Sequence, residues 1–365
     1  MTDRAGAEDR IARLRLIRSD NIGPVTYHQL IARFGSAAAA LDAIPDLARR
    51  GGGRLPRLAA RDAIEREIAR VEQLGARYLF AGQGLYPALL GEIETAPPVL
   101  IARGRLELLE MPAVAMVGAR NASGAACRFA RMLAQELGGE GMAIVSGLAR
   151  GVDTAAHDGS LATGTVAVIA GGIDIVYPPE NADRQRAIAE QGLLIAEQPP
   201  GTEPRARHFP YRNRIIAGIA QGTVVEEAAP SSGSLITARY ANEFGRDVMA
   251  VPGSPLDPRA QGCNRLVRDG AILIQNAADV LETLRPIGAG MRVREQRASS
   301  AIAPIDAGDA ERDSVIALLS PAPVPVDELI RQAGLPSAVV QTVLLELELA
   351  VRLERHAGGR VSLAG

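Results

Sequence analysis

Between residues 113 and 285 the chain sets out a series of short apolar runs, most closed by glycine, each giving way to a helical pattern. The runs are AVAMVG, AIVSG, VAVIAGG, LLIAEQP, TVVEEA, DVMAVPG and AILI. A strand that is apolar along its whole length has to be covered on both faces. Alternation with helices therefore predicts a parallel sheet with helices on each side, a doubly wound α/β fold. Such sheets hold ligands in the crevice beyond the carboxyl ends of their strands. The glycine-rich turns of this chain fall at those ends.

With 365 residues there is room for two or three units, each with its own core. Charged residues interrupt every apolar run before it could span a bilayer, and the start MTDRAGAEDR is too polar for a secretory signal. A cytoplasmic location without membrane contact is expected. Cys127 and Cys263 lie far apart and match no metal-ligand spacing, so free thiols are expected rather than a disulfide or a zinc site. All 40 basic residues are arginine. Without lysine there is no Walker P-loop and no Schiff-base chemistry, and phosphate contacts must come from guanidinium forks, backbone amides or hydroxyls.

Residues 8–75 carry apolar positions at helical spacing, as in RIARLRLIRSD and YHQLIARFGS, and predict an N-terminal helical domain over 1–82. The turn in DNIGPVTYHQL is similar to those of helix-hairpin-helix modules, although Pro24 removes one amide that would hold phosphate. GGGRLPRLAAR reads as a flexible connector. The α/β domain is assigned to 83–285 and a linker to 286–311, where small residues lack any sustained apolar period. From 312 to 365 three helical patterns and a short hairpin predict a winged helix. Its third helix, SAVVQTVLLELELA, holds Glu346 and Glu348 and no arginine, which favours protein contact or packing over groove reading.

Five stretches could carry a site. In VGARNASG, Gly118 ends a strand, Ser123 can cap the next helix, and turn amides with Arg120 form an anion site in outline. SGLARGVDTAAHDGSLATG places Ser146 and Gly147 at the next strand end, with Asp153 as a helix cap and His157 as a structural histidine. GGIDIVYPPEN has a geometric signal, a rigid turn at Tyr177. VVEEAAPSSGSLITARYA opens a helix around Gly233 and Ser234, another amide-rich terminus. RARHFPYRNRIIAG gathers Arg205, Arg207, Arg212 and Arg214 about Phe209 and Tyr211, with Asn213-Arg214 expected to begin the helix. It is either a solvated arginine loop with Phe209 in the core or a backbone groove with planes for base stacking; the neighbouring phosphate-compatible turns favour the groove. No catalytic residue is assigned, and neither a metal nor a cofactor is expected.

The ordered set VAMVGARNAS, SGLARGVDTAAHDGSL, GGIDIVYPPEN, FPYRNRIIAG, VVEEAAPSSGSLITARYANEFGRDVMAVPG and LVRDGAILI closely resembles the DprA family, also called Smf, the DNA-processing proteins of bacterial natural transformation. Similarity continues in YPALLGEIETAPPVLIARG and DELIRQAGLPSAVVQTVLLELELA, so it covers nearly the whole chain. The resemblance implies an extended Rossmann-like domain that binds single-stranded DNA without sequence preference. It further implies protection of incoming DNA, loading of the RecA recombinase, a homodimer through the Rossmann-like domain, and no enzymatic activity. Carried over by position, the DNA site comprises Gly118, Arg120, Ser123, Ser146, Gly147, Phe209, Arg212, Asn213 and Arg214. Gly233 and Ser234 join it, as does Arg207, which falls where the family pattern varies.

Four positions depart from that pattern: Ala125-Ala126 stand for an aromatic and a glycine, Thr95-Ala96 for a frequent aspartate, Cys263 for a small polar residue, and Arg352 for a turn glycine. An enzyme is the competing reading. A strand ending in Glu226-Glu227 before a glycine-serine helix start also resembles the Lonely Guy phosphoribohydrolases, but APSSGSLIT replaces their Pro-Gly-Gly-x-Gly-Thr.

Overall fold

The protein is described by a computed structural model covering residues 2–284, 306–356 and 358–364. Residues 286–305 of the expected linker lie outside the described residues. The contacts divide the chain into two units, residues 1–66 with 291–365, and residues 67–290.

In the first unit, α1 (Thr2–Arg18) precedes α2 (Pro24–Phe34), which opens with proline in its first turn and stops at Gly35, where φ is 75°. The hydroxyl of Ser36 then caps α3 (Ala37–Arg50) by accepting the Ala39 N–H at 3.2 Å. Leu16, Leu30, Ile44 and Leu47 close a core between these helices. Each such side chain contributes roughly 1.5–3 kcal/mol by leaving water.

After α4 (Arg61–Gln73), β1 (Arg77–Phe80), the single turn α5 (Ala88–Gly91) and β2 (Val99–Gly104), the alternation begins. It runs β3 (Ala113–Gly118), α6 (Gly124–Gly139), β4 (Ala143–Ser146), α7 (Val152–Ser160), β5 (Thr165–Gly172), α8 (Ala182–Gln191), β6 (Leu193–Gln198), α9 (His208–Ile219) and β7 (Gly222–Glu226). It continues through α10 (Ser234–Glu243), β8 (Asp247–Ala250), α11 (Gln261–Arg268), β9 (Ile272–Leu273) and α12 (Ala277–Leu284). Every apolar run singled out in the sequence is a strand.

The sheet has nine strands in the order β1-β2-β6-β5-β4-β3-β7-β8-β9. From β6 to β9 all neighbours are parallel, whereas β2 is antiparallel to β6 and to β1. The order reverses between β3 and β7, which is the topological switch point. Both faces are covered: Val145, Val168, Ile195 and Val225 pack on one, Met116, Leu133, Ile144 and Met249 on the other. This is the mainly parallel, doubly wound sheet that the apolar runs demand.

The chain resumes with α13 (Asp309–Ala317), β10 (Val324–Pro325), α14 (Val326–Ala333), α15 (Ser337–Leu349), β11 (Leu353–His356) and β12 (Arg360–Leu363). Three helices and the small antiparallel sheet β10-β12-β11 make the expected winged helix.

One local expectation is corrected. Helix α9 begins at His208, so Phe209, Tyr211 and Arg212 are helical and do not belong to a loop before Asn213. A backbone bond from His208 N–H to Arg205 O, 2.8 Å long, turns the preceding residues into the helix. Pro210 is tolerated because it sits in the first turn, where backbone N–H groups have no helical partner.

Candidate functional site

The carboxyl ends of β3, β4 and β5, together with the first turns of α9, surround a cleft of about 230 Å³. That volume is below the ~300–1,000 Å³ typical of sites enclosing drug-sized ligands, and suits one nucleotide unit better than a dinucleotide. The β3 turn contributes Arg120, the β4 turn Gly147 to Arg150, the β5 turn Tyr177 to Glu180, and α9 supplies Phe209 and Arg212. Phe209 has two such neighbours: the Arg120 guanidinium carbon lies 5.3 Å from its ring centre, and the Tyr177 ring is 5.5 Å away, tilted by 55°. Cation, aromatic and aromatic therefore stand side by side at the mouth of a positively charged hollow.

Arg212 forms the back of the cleft. It is 7% exposed, and its Nε has no hydrogen-bond partner among the described residues. Burial lowers its pKa to about 10; Asp153 opposes that shift and Arg120 adds to it. It remains a cation at neutral pH. Its fork lies against the Gly147 backbone, where an added Cβ would come within 1.4 Å of Nη1, so only glycine leaves room for it. At the mouth, Arg150 and Glu180 face each other at 3.7 Å, both more than half exposed. An exposed pair of this kind contributes little stability and is readily exchanged for another anion.

The β4 turn is held rigid from beneath. Asp153 accepts the N–H groups of Gly147 and Ala149 at 3.2 and 3.3 Å, and its burial pushes its carboxyl pKa up. Leu148 adopts φ 55°, a conformation costly for a branched side chain, and both its backbone groups are engaged. Its N–H donates to His157 Nε2 at 3.3 Å, and its carbonyl accepts from Asn181 Nδ2 at 2.9 Å. Because Nε2 accepts, the His157 proton sits on Nδ1, 2.7 Å from Thr165 Oγ1. Burial lowers the His157 pKa to about 3, which keeps the ring neutral. The expected structural role of His157 agrees with this position, whereas Asp153 reaches back to the turn and does not cap α7, whose N-cap residue is Gly151.

Of the twelve residues singled out in the sequence, the cleft brings together Arg120, Gly147, Phe209 and Arg212. The others do different work. Ser146 is fully buried and donates its hydroxyl to Met116 O at 2.6 Å, tying β4 to β3. Arg214 is 4% exposed; it pairs with Glu197 at 2.6 Å and also donates to Thr95 O. Asn213 Nδ2 donates to Gly233 O at 3.2 Å, joining α9 to the start of α10. There the Ser232 hydroxyl accepts the Ser234 N–H at 3.4 Å, and the two hydroxyls are 2.7 Å apart. Arg207 is exposed and precedes α9.

Gly118 and Ser123 belong to the switch point. An added Cβ on Gly118 would meet Glu226 O at 2.0 Å, so this glycine serves close strand packing. The Ser123 hydroxyl caps α6 through the Ala126 N–H at 3.0 Å. Its own N–H, which the sequence offered to a phosphate, donates to the Glu227 carboxylate at 2.8 Å. Glu226 alongside is 2% exposed, and burial with the neighbouring Glu227 charge pushes its pKa up to about 8. The anion at this helix terminus is the chain's own.

Sequence reasoning missed Tyr177, Arg150 and Glu180 as cleft residues. The signal for Tyr177 was present, since an aromatic beside two prolines at a strand end is held on the ligand-binding edge.

Family models match residues 7–69 (DprA-like N-terminal HHH domain), 77–285 (DNA recombination-mediator protein A) and 299–359 (DprA winged helix domain). Protein Smf of Synechocystis is 42% identical over 222 residues, 59% of this chain; the match spans 56% of that protein's length. The X-ray structure of DNA processing protein A from Streptococcus pneumoniae superposes with a TM-score of 0.58 at 41% identity, covering 61% of this chain and 78% of that one. The Helicobacter pylori DNA processing protein A, whose structure describes a single-stranded DNA binding mode, gives 0.53 at 28% identity over 57% of this chain and 95% of its own. Its sheet, its three matched domains and these relatives place the chain in the DNA recombination-mediator protein A (DprA/Smf) family.

Proposed function

We propose that this chain binds single-stranded DNA without sequence preference across the carboxyl edge of its sheet, as part of DNA processing in transformation and recombination. The observation that carries the reading is Arg120 over Phe209 beside the buried fork of Arg212. Stacking planes accept any base, and guanidinium forks accept any phosphate, so the pair supplies affinity with little discrimination. The single-stranded DNA binding mode described for the Helicobacter pylori relative supports the same substrate class. Family membership further supports protection of incoming DNA, loading of the RecA recombinase onto it and a cytoplasmic setting. Homodimerisation through the Rossmann-like domain is in keeping with the edge strand β9, whose Ile272 and Leu273 are both 41% exposed.

The competing phosphoribohydrolase reading rests on the carboxylates of Glu226 and Glu227 at the end of β7. Glu226 is buried away from the cleft, and Glu227 is engaged with the Ser123 amide. Binding of fluorescein-labelled oligo-dT, oligo-dA and duplex DNA by anisotropy tests the proposal. Similar affinities for both single strands and a much weaker duplex affinity are expected; tighter duplex binding would refute it.

A further inference from the structure

The sequence marked two features that the cleft does not use: the triple glycine at 51–53 and the acid-only third helix of the winged helix. The structure puts them against each other. In the first unit, one face of α15 packs in its own domain through Val340, Val343, Leu344 and Leu347. Its other side sends Leu345 and Leu349 into the core of α2 and α3. From Val339 to Ala350 no residue is exposed. A helix that reads a DNA groove needs an open polar face, and beyond its first residue, Ser337, α15 has none.

The glycines are fitted to the end of α15. An added Cβ on Gly51 would lie 2.2 Å from Glu346 O, and one on Gly53 would lie 2.1 Å from Ala350 O. Carbonyls at the end of α15 and in the glycine turn are answered across the seam: Arg54 N–H donates to Ala350 O, and Arg352 Nη1 donates to Gly51 O, both at 3.0 Å. Side chains register the rest, with Gln29 Nε2 donating to Gln341 Oε1 and Arg33 Nη1 to Thr342 Oγ1, each at 3.2 Å. The acids are accounted for within the same unit. Glu346, its side chain 1% exposed, pairs with Arg312 at 2.7 Å, and Glu348 pairs with Arg355 at 2.8 Å.

We propose that the third helix of the winged helix is a docking helix whose partner is this chain's own N-terminal helical domain, with Gly51 and Gly53 as its cradle, and that it does not read DNA. The run GGG is therefore a contact surface, and the two end domains act as one body. Arg352, which stands where the family pattern has glycine, belongs to the same seam. The proposal is independent of the cleft's function, since none of its residues lines the cleft.

The test uses the full chain with Cys127→Ser, Gln29→Cys and Gln341→Cys, treated with a short bismaleimide. Efficient crosslinking within one chain, unchanged by saturating duplex or single-stranded DNA, is expected. No crosslink, a crosslink formed only between chains, or protection by duplex would overturn the proposal. In a second variant that adds Gly51→Val and Gly53→Val, the crosslink is expected to fall by about tenfold or more, because the added carbons overfill the seam. A new affinity for duplex DNA in that variant would equally overturn it.

Discussion

The ends of β3 and β4 carry arginine, whereas the end of β7, next to β3 in the sheet, carries glutamate. Both places offer the turn amides and helix starts that bind anions in doubly wound folds. At the switch point the protein fills that role itself, with Glu227 on the Ser123 amide and Glu226 buried beside it. One strand away, Asp153 consumes the turn amides from behind, and the positive charge of the cleft comes from exposed Arg120 and buried Arg212. A glycine-rich turn is thus only a backbone shape. The side chain that reaches it first decides whether it binds a ligand or the protein.

The contrast is most sharply broken on α9, where Arg212 and Arg214 are two residues apart and so point about 200° apart around the helix. Arg214→Ala leaves Glu197 without its partner in a largely buried setting and is expected to cost about 3 kcal/mol of stability. Thermal unfolding reads this, and affinity per folded molecule should barely change. Arg212→Ala should do the reverse in emphasis, weakening oligo-dT binding by about 2 kcal/mol, or roughly thirtyfold, in a titration at fixed salt. If both variants lose affinity equally, the two arginines share a role and the division of α9 fails.

Phe209→Ala removes a stacking plane, and a loss of about 1–2 kcal/mol of single-strand affinity is expected, equal for oligo-dT and oligo-dA. Phe209→Tyr should restore most of it. A loss confined to one base would replace stacking by base reading.

A separate test, of stability rather than binding, concerns the switch point. Glu226 has its folded pKa raised from 4.5 to about 8, so the unfolded chain releases this proton first as pH rises. Its contribution is fully present below pH 4.5 and is lost progressively up to about pH 8. Denaturant titrations at several pH values should show wild-type stability falling through that window relative to Glu226→Gln. A constant difference between the two would mean that Glu226 is already ionised in the folded protein.

How far the sequence foretold this differs between fold and site. The apolar runs were sufficient for the sheet, because a strand buried on both faces has few other solutions. Ser146 and Arg214 were assigned to the DNA site from their places in motifs, which reveal nothing about direction, and the structure buries both. Once α9 is known to start at His208, Phe209 and Arg212 fall at i and i+3 on one face, while Arg214 turns towards Glu197. The start was obscured by Pro210, which reads as a helix breaker anywhere but in a first turn. The pairing of the triple glycine with α15 was beyond local pattern, since the partners lie some 300 residues apart in the sequence and glycine before a proline-containing stretch reads as a connector.

Salt dependence of single-strand binding tests the central claim most directly. Each phosphate neutralised on a single strand contributes about −0.7 to the slope of log K against log salt. For wild type a steep linear fall is expected, with the slope shallower by about 0.7 in Arg120→Ala and again in Arg212→Ala, and unchanged in Arg214→Ala. Identical slopes in all four proteins would contradict the assignment of the cleft as the place where the DNA backbone is held.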